Sequence, residues 1–325
     1  MNAPAEFTPP AVEQTLLRTL LRGGLRLLFR GLVRPPMPIA GQRAVLRLLT
    51  AVSPAPRGVT RSAGTLAGRP CEWHRPQRGP LHRPQSGQWH RPQSGRGTVL
   101  LYLHGGAYLI GGPNTHRAIC SHLAKRGQLD VCALDYRLAP EHQYPAARED
   151  AVAAFQALIE QGYKPEQIVI GGDSAGGNLS LITSLHLRDL GQAQPAALVC
   201  FSPVTDFTGT QLHEPPAGDP LIQRTWVEQA LALYCPAGLG HDDPGLSPQF
   251  ADLHGLAPLL IQVGEDEILR NDSLRFADKA RAAGVDVRLQ RYPDLWHVFQ
   301  AHAGLLRAAD FALAEVVSFL RERGC

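Results

Sequence analysis

The sequence has no pair of cysteines at C-x-x-C spacing, although six cysteines occur, at 71, 120, 132, 200, 235 and 325. This absence argues against the common zinc and dithiol motifs, and Cys132 and Cys200 fall in apolar runs typical of buried strands. No run of about 18 apolar residues is present, so no membrane span is predicted. Residues 1–10 lack the basic segment of a signal peptide. We therefore expect a cytoplasmic protein.

A large excess of charge is also missing. The net charge of the 325-residue chain is only +3, which is too small to indicate a nucleic-acid partner. Only three of its 32 basic residues are lysines, and acidic residues are absent between residues 14 and 50. The content of 44% hydrophobic and 19% charged residues is ordinary for a globular protein with a substantial core.

The N-terminal segment, residues 1–55, is predicted to form helical cap elements. Leucines recur through 14–34 at helical spacing, and arginines occupy every fourth position from 18 to 34. Like charges at this spacing repel, by roughly 0.2–0.5 kcal/mol each in an isolated helix. One hypothesis is a helix that makes weak contact with a membrane surface. We favour a lid helix that is interrupted at Gly23-Gly24 and whose arginines face water, followed by a second short helix at about 41–52.

Residues 56–325 are assigned to one catalytic domain. Residues 53–70 are rich in Pro, Gly, Ser and Thr, and are interpreted as a connector. The tetrapeptide His-Arg-Pro-Gln then occurs three times, eight residues apart, from His74. Three such short copies are too few for a solenoid, and their proline and glycine content argues against a metal site. We predict a mobile surface loop at about 74–95 without a chemical role.

From residue 97, apolar strand-like runs alternate with helical stretches. Such alternation predicts an α/β fold with a mostly parallel central sheet and helices on both faces. A long insertion at about 207–245 is predicted to be a second cap segment. The predicted strands are 97–103, 130–135, 167–171, 196–201, 258–263 and 286–291. The predicted helices are 114–126, 145–161, 176–190, 224–235, 271–283 and 304–322.

The motif G-x-S-x-G occurs between a predicted strand and a predicted helix, with its serine at Ser174. This context is that of a nucleophile elbow, a strained turn that exposes the serine hydroxyl above the end of the sheet. The same turn directs the backbone N–H of Ala175 towards that position. Taken alone, the motif also fits a glycine-rich turn with a capping serine, so further motifs are needed.

Two other motifs complete a catalytic pattern. His104-Gly105-Gly106 follows the strand at 97–103, and such a loop presents backbone N–H groups to an oxyanion. His297 follows the strand at 286–291 and comes last in the order serine, acid, histidine. The loop after the strand at 258–263 must then supply the acid. Four residues compete for this role: Glu265, Asp266, Glu267 and Asp272.

The chain resembles the bacterial hormone-sensitive-lipase-like family of α/β-hydrolase esterases over roughly residues 60–322, apart from the repeat. The matching pieces are His104-Gly105-Gly106-Ala107-Tyr108, Asp135-Tyr136-Arg137-Leu138-Ala139-Pro140-Glu141-His142, Gly172-Asp173-Ser174-Ala175-Gly176-Gly177, Ser202-Pro203 with Asp206, and Trp296-His297-Val298-Phe299. The resemblance implies Glu267 as the acid, two residues before Leu269, with Asp266 as the alternative. It also implies substrate contacts for Tyr108 and Tyr136, and allows a homodimer.

These observations predict a serine carboxylic-ester hydrolase that needs no metal or organic cofactor. Ser174 is the expected nucleophile, His297 the base and Glu267 its partner. The N–H groups of Gly105, Gly106 and Ala175 form the expected oxyanion hole. The resemblance further implies small ester substrates with short to medium acyl chains. One alternative is an amide or N-acetyl hydrolase with the same triad. Another is a non-catalytic receptor on this fold, but the receptors that resemble this family lack the histidine.

Overall fold

The computed structural model describes residues 7–10, 14–51, 56–77 and 97–325. Within these residues, eight strands form one sheet in the order β1-β2-β4-β3-β5-β6-β7-β8. The strands are β1 (Val59–Leu66), β2 (Arg69–Pro76), β3 (Val99–Leu103), β4 (Asp130–Leu134), β5 (Ile168–Asp173), β6 (Ala197–Phe201), β7 (Leu259–Gly264) and β8 (Val287–Tyr292). Strands β3 to β8 pair in parallel, and they correspond to the six strands predicted from the sequence.

Helices cover both faces of this sheet, as predicted. The described ranges contain α1 (Thr15–Gly31), α2 (Ile39–Thr50), α3 (Arg117–Gly127), α4 (Ala146–Glu160), α5 (Ala175–Asp189), α6 (Arg224–Tyr234), α7 (Arg270–Ala282) and α8 (Arg307–Arg321). Alternate residues of a strand point to opposite faces. Thus Leu101 and Leu103 of β3 pack in the core formed with α4, α5 and α7. Leu100 and Tyr102 pack on the other face, in the core formed with α3 and α8.

An antiparallel hairpin, β1–β2, extends the sheet beyond β4, so the interpretation of 53–70 as a connector is wrong. The hairpin turn at Ala67 and Gly68 has positive φ at both residues, 49° and 73°, as a type I′ turn requires. Strand β1 consists mainly of small and polar residues that stay exposed. Backbone pairing with β2 therefore holds this edge strand in place, and its own sequence carries little strand signal.

The first repeat copy begins inside β2, so the loop predicted at about 74–95 starts too early. His74 is buried, and its Nδ1 lies 2.9 Å from Ser121 Oγ on α3. Residues 74–76 are therefore part of the sheet, because antiparallel pairing with β1 continues through Pro76. The other two copies lie in 78–96, outside the described residues.

Helix α1 is continuous through Gly23 and Gly24, and its arginines do not follow the predicted orientation. Arg22 donates to Asp266, Arg26 to the carbonyl of Ala217, and Arg30 to that of Asp219. These contacts turn much of the arginine row towards the protein, where acceptors offset its mutual repulsion. The exposed side bears leucines instead: Leu16, Leu20 and Leu27 are 75%, 64% and 77% exposed. No described helix is both long and apolar enough to cross a membrane.

Candidate active site

Ser174 lies in the turn that joins β5 to α5, at the carboxyl edge of the sheet. Its backbone has φ 54° and ψ −118°, a conformation that a non-glycine residue adopts only under strain. The turn is tight because α5 starts directly against β3: a Cβ at Gly172 or Gly176 would collide with the carbonyl oxygen of Leu103. Ala175 is the first residue of α5, and N–H groups in a first helical turn have no acceptor within the helix.

The H-G-G loop follows β3 and is anchored by its histidine. His104 is buried, its ring stacks on Tyr136 at 4.2 Å, and its carbonyl accepts a hydrogen bond from Tyr136 Oη at 2.5 Å. Gly106 has φ 113°, and a Cβ there would collide with the carbonyl of Ile110. The loop therefore requires glycine at this position, and it brings Gly105 and Gly106 beside Ser174 around one cavity.

His297 and Glu267 meet directly. His297 Nδ1 lies 3.2 Å from Glu267 Oε1, and both residues are buried. The other carboxylate oxygen, Oε2, accepts hydrogen bonds from Ser202 Oγ at 2.7 Å and from the Gly264 N–H at 3.0 Å. Burial acts to lower the pKa of His297, but the hydrogen bond and charge of Glu267 outweigh it, so this pKa is raised. The arrangement stabilises an imidazolium at His297.

Asp266, the alternative acid, points elsewhere. Its Oδ2 accepts a hydrogen bond from Arg22 Nη2 of α1 at 2.6 Å, and its side chain is 23% exposed. Glu265 pairs with Arg270 and Arg291. Asp272 accepts the backbone N–H groups of Thr205 and Asp206. Of the four competing carboxylates, Glu267 is therefore the one that the structure brings to His297.

Two cavities meet at Ser174. The first, with about 590 Å³ of empty space, is mainly apolar and extends past Tyr108 to Trp226 and Tyr234. The second, with about 640 Å³, contains His297 and the H-G-G loop. Phe29 of α1, Leu46 of α2 and Trp226 from α6 also line the second cavity. Both cap segments predicted from the sequence thus contribute walls to the space above the serine.

The two tyrosines expected to contact substrate are placed differently. Tyr108 lines the first cavity, stacks on Tyr234 at 3.9 Å and donates to Asn178 Oδ1 at 2.6 Å. Tyr136 is 1% exposed and lies under the H-G-G loop, outside the linings of both cavities. Its hydroxyl group hydrogen-bonds the loop at the carbonyl of His104, and the expected substrate contact of Tyr136 stays a prediction.

Sequence reasoning missed three polar residues of this site. Ser202 orients Glu267, although its position after β6, next to β5 in the sheet, could have indicated this role. Asp219 accepts the backbone N–H of Ile268 at 2.9 Å. His116 lines the second cavity and lies 3.2 Å from Asp173. The contacts of Asp219 and His116 join residues that lie far apart along the chain, so no local pattern indicates these two.

The chain is similar to known proteins in both sequence and structure. A family model described as "alpha/beta hydrolase fold" matches residues 100–301. The chain is 40% identical to an esterase of Acinetobacter venetianus over 68% of this chain and 74% of that protein. It is 39% identical to an acetyl-hydrolase of Streptomyces hygroscopicus over 69% and 76%. A crystal structure of an esterase from the bacterial hormone-sensitive lipase family superposes with a TM-score of 0.83, at 34% identity, covering 96% of this chain and 99% of that one.

Proposed function

The chain belongs to the bacterial hormone-sensitive-lipase-like family of α/β-hydrolase esterases, and from this membership we propose that Ser174, His297 and Glu267 form its catalytic triad. The protein is a carboxylesterase-type hydrolase. The observation that carries the triad is the buried contact of His297 Nδ1 with Glu267 Oε1, beside the cavity that also contains Ser174.

The proposed reaction proceeds through an acyl-enzyme. Ser174 Oγ attacks the ester carbonyl while His297 Nε2 takes the hydroxyl proton, and the imidazolium then gives this proton to the leaving alcohol. A water molecule attacks the acyl-enzyme with His297 again acting as base, which releases the carboxylic acid and restores Ser174. Glu267 keeps the proton of neutral His297 on Nδ1, so that Nε2 remains free to accept.

We assign the oxyanion hole to the N–H groups of Gly105, Gly106 and Ala175. The two loop glycines lie beside Ser174 in the second cavity, and Ala175 opens α5, whose positive dipole end faces the same point. Preorganised donors of this kind stabilise the charge that develops on the carbonyl oxygen. Removing one such donor typically lowers kcat by about 10²–10³-fold.

The proposed substrates are esters with short to medium acyl chains. The apolar wall of the first cavity combines residues of the second cap segment (207–245) with residues from the rest of the catalytic domain (56–325). Tyr234, which stacks on Tyr108, also lines this cavity. We therefore expect p-nitrophenyl butyrate to be hydrolysed with a higher kcat/KM than the palmitate ester. The opposite order would argue against an acyl group in this cavity.

Ser174→Ala tests the nucleophile. The variant should fold, because the turn tolerates a small side chain, and should lose both ester hydrolysis and covalent labelling by a fluorophosphonate. Ser62→Ala, at an exposed position of β1, is the matched control and should retain both. Hydrolysis by folded Ser174→Ala above that of a mock preparation would refute the proposed nucleophile.

The second candidate function is hydrolysis of acetyl amides by the same triad. The similarity of the chain to a protein named acetyl-hydrolase, from Streptomyces hygroscopicus, favours this candidate. The two functions are separated by kcat/KM for p-nitrophenyl acetate and for p-nitroacetanilide. We expect the ester to be the better substrate by several orders of magnitude. Comparable values for the two substrates would favour the amide hydrolase.

Further proposals concern partners and location. The exposed leucines of α1 are the surface through which residues 14–34 would make weak contact with a membrane, since Arg22 and Arg26 are engaged within the protein. Loss of vesicle binding in a Leu16→Ser/Leu20→Ser/Leu27→Ser variant would support this contact. It would be refuted if the wild-type protein does not bind vesicles or if the variant still binds them. The homodimer and the cytoplasmic location expected from the sequence remain proposals.

A further inference from the structure

A second histidine–carboxylate pair lies beside the proposed nucleophile. Asp173 directly precedes Ser174, and its Oδ2 lies 3.2 Å from His116 Nε2. Its other oxygen, Oδ1, accepts a hydrogen bond from Tyr102 Oη at 2.6 Å. Asp173 is 3% exposed, and it lines the second cavity together with His116. The proposed triad uses neither residue.

The carboxylate of Asp173 also touches the H-G-G loop. A Cβ at Gly105 would collide with Asp173 Oδ2, so the carboxylate packs directly on the Cα of this glycine. A buried negative charge therefore lies between the nucleophile turn and the loop proposed to bind the oxyanion. Uncompensated, this charge would oppose the oxyanion, because electrostatic interactions are strong where water is excluded.

The surroundings of His116 offer an acceptor to each of its two ring nitrogens. Thr115 Oγ lies 2.7 Å from the carbonyl oxygen of Gly112. The Nδ1 of His116 lies 2.8 Å from that Oγ and 3.3 Å from the same carbonyl, which can accept a hydrogen bond from a protonated Nδ1. Nε2 faces the Asp173 carboxylate, which also accepts. The imidazolium carries a proton on both nitrogens and can therefore use both acceptors.

We propose that His116 and Asp173 are positioning residues of the oxyanion hole: Asp173 ties the nucleophile turn to the H-G-G loop, and the His116 cation neutralises its charge. This inference rests on the proposed function. The two side chains have separate roles. The carboxylate supplies acceptors for Tyr102 and His116, while the cation prevents that carboxylate from destabilising the transition state.

The electrostatics of the pair agree with this assignment. Burial acts to lower the pKa of His116, but the charge and hydrogen bond of Asp173 outweigh burial, so the pKa is raised. Burial acts to raise the pKa of Asp173, but the charge and hydrogen bond of His116 and the hydrogen bond from Tyr102 outweigh it, so this pKa is lowered. The neighbouring His104 has a pKa lowered to about 3, by burial and then by the charge of His116.

The test is a double-mutant cycle with His116→Gln and Asp173→Asn. A glutamine amide can still donate to Asp173 but carries no charge, so we expect kcat to fall by about 10- to 100-fold, less than for loss of an oxyanion donor. We expect KM to stay within about threefold, because substrate contacts are unchanged. Asp173→Asn should cost much less, since neutral His116 can accept from the new amide. The double variant should recover most of the activity lost in His116→Gln.

His122→Gln is the matched control. His122 lies on α3, the helix that begins directly after His116, and it faces a carboxylate, with its Nδ1 3.9 Å from Asp310, but it lines neither cavity. Its kcat should equal that of the wild type. Unchanged kcat in folded His116→Gln, or a double variant as impaired as His116→Gln, would overturn the charge role. If His116→Gln does not fold, the double variant is compared with Asp173→Asn, and a tenfold lower kcat in the double variant would overturn it.

Fluorophosphonate labelling separates this inference from the proposed function. Wild-type protein that is not labelled, or folded Ser174→Ala that stays active, would refute the proposed nucleophile and leave the pair without an oxyanion hole to position. If labelling depends on Ser174 while the double-mutant cycle shows no rescue, only the charge role of His116 fails.

Discussion

Replacing Glu267 by glutamine is the sharpest test of the proposed acid, because the structure determines how the new amide must orient. Glu267 Oε2 accepts hydrogen bonds from both Ser202 Oγ and the Gly264 N–H. Glutamine can satisfy these two donors only with its carbonyl oxygen. Its NH₂ group would then replace Oε1, which lies 3.2 Å from His297 Nδ1.

An NH₂ group at this position would donate to His297 Nδ1. The neutral ring would then hold its proton on Nε2, the nitrogen that must accept from Ser174, and the imidazolium would lose its counter-charge. The equivalent carboxylate-to-amide change in a serine protease lowers kcat by about 10⁴-fold for this reason. We expect a loss of similar size for Glu267→Gln, with KM changed much less.

Asp266→Asn is the matched neighbour. Asp266 is held by Arg22 at the surface, and a partly exposed ion pair contributes about 0–1 kcal/mol to the free energy of unfolding. Its kcat should therefore stay close to that of the wild type. The assay is kcat on p-nitrophenyl butyrate for both variants, with Tm as the check of folding. If folded Asp266→Asn loses more activity than Glu267→Gln, the assignment of the acid and the argument from its hydrogen bonds are both refuted.

Three further predictions follow from the same geometry. Gly106→Ala should lower kcat by about 10²–10³-fold, because its Cβ would collide with Ile110 O and displace an oxyanion donor; wild-type kcat would contradict this. Burial raises the pKa of Asp272 to about 7. The protonated carboxyl group therefore favours folding below about pH 4, and this contribution to the free energy of unfolding is lost as pH rises to about 7. Urea unfolding should show that Asp272→Asn gains stability relative to the wild type as pH rises from about 5 to about 8. Truncation of residues 1–34 removes Phe29 from the second cavity and should change ester preference while Ser174 remains labelled by a fluorophosphonate; unchanged kinetics would refute a cap role.

The sequence alone predicted the parallel sheet and the chain positions of the proposed triad. Strands β3 to β7 are largely buried, so their apolar runs stand out without knowledge of neighbours. The turn around Ser174 and the loop at Gly105-Gly106 require small residues because backbone approaches them closely. Such requirements are local, and they leave recognisable letters in the sequence.

Contacts between distant residues were decided only by the tertiary structure. The edge strand β1 has little apolar signal of its own, and its existence depends on pairing with β2. Arg22 meets Asp266 across 244 residues, and this contact faces the arginine side of α1 towards the protein and leaves Leu16, Leu20 and Leu27 exposed. Likewise, the hydrogen bond from Ser202 to Glu267 spans 65 residues, and the His116–Asp173 pair spans 57. The physical reason is the same in each case: the direction of a polar side chain depends on which acceptor the fold brings near it, and local periodicity carries no information about that acceptor.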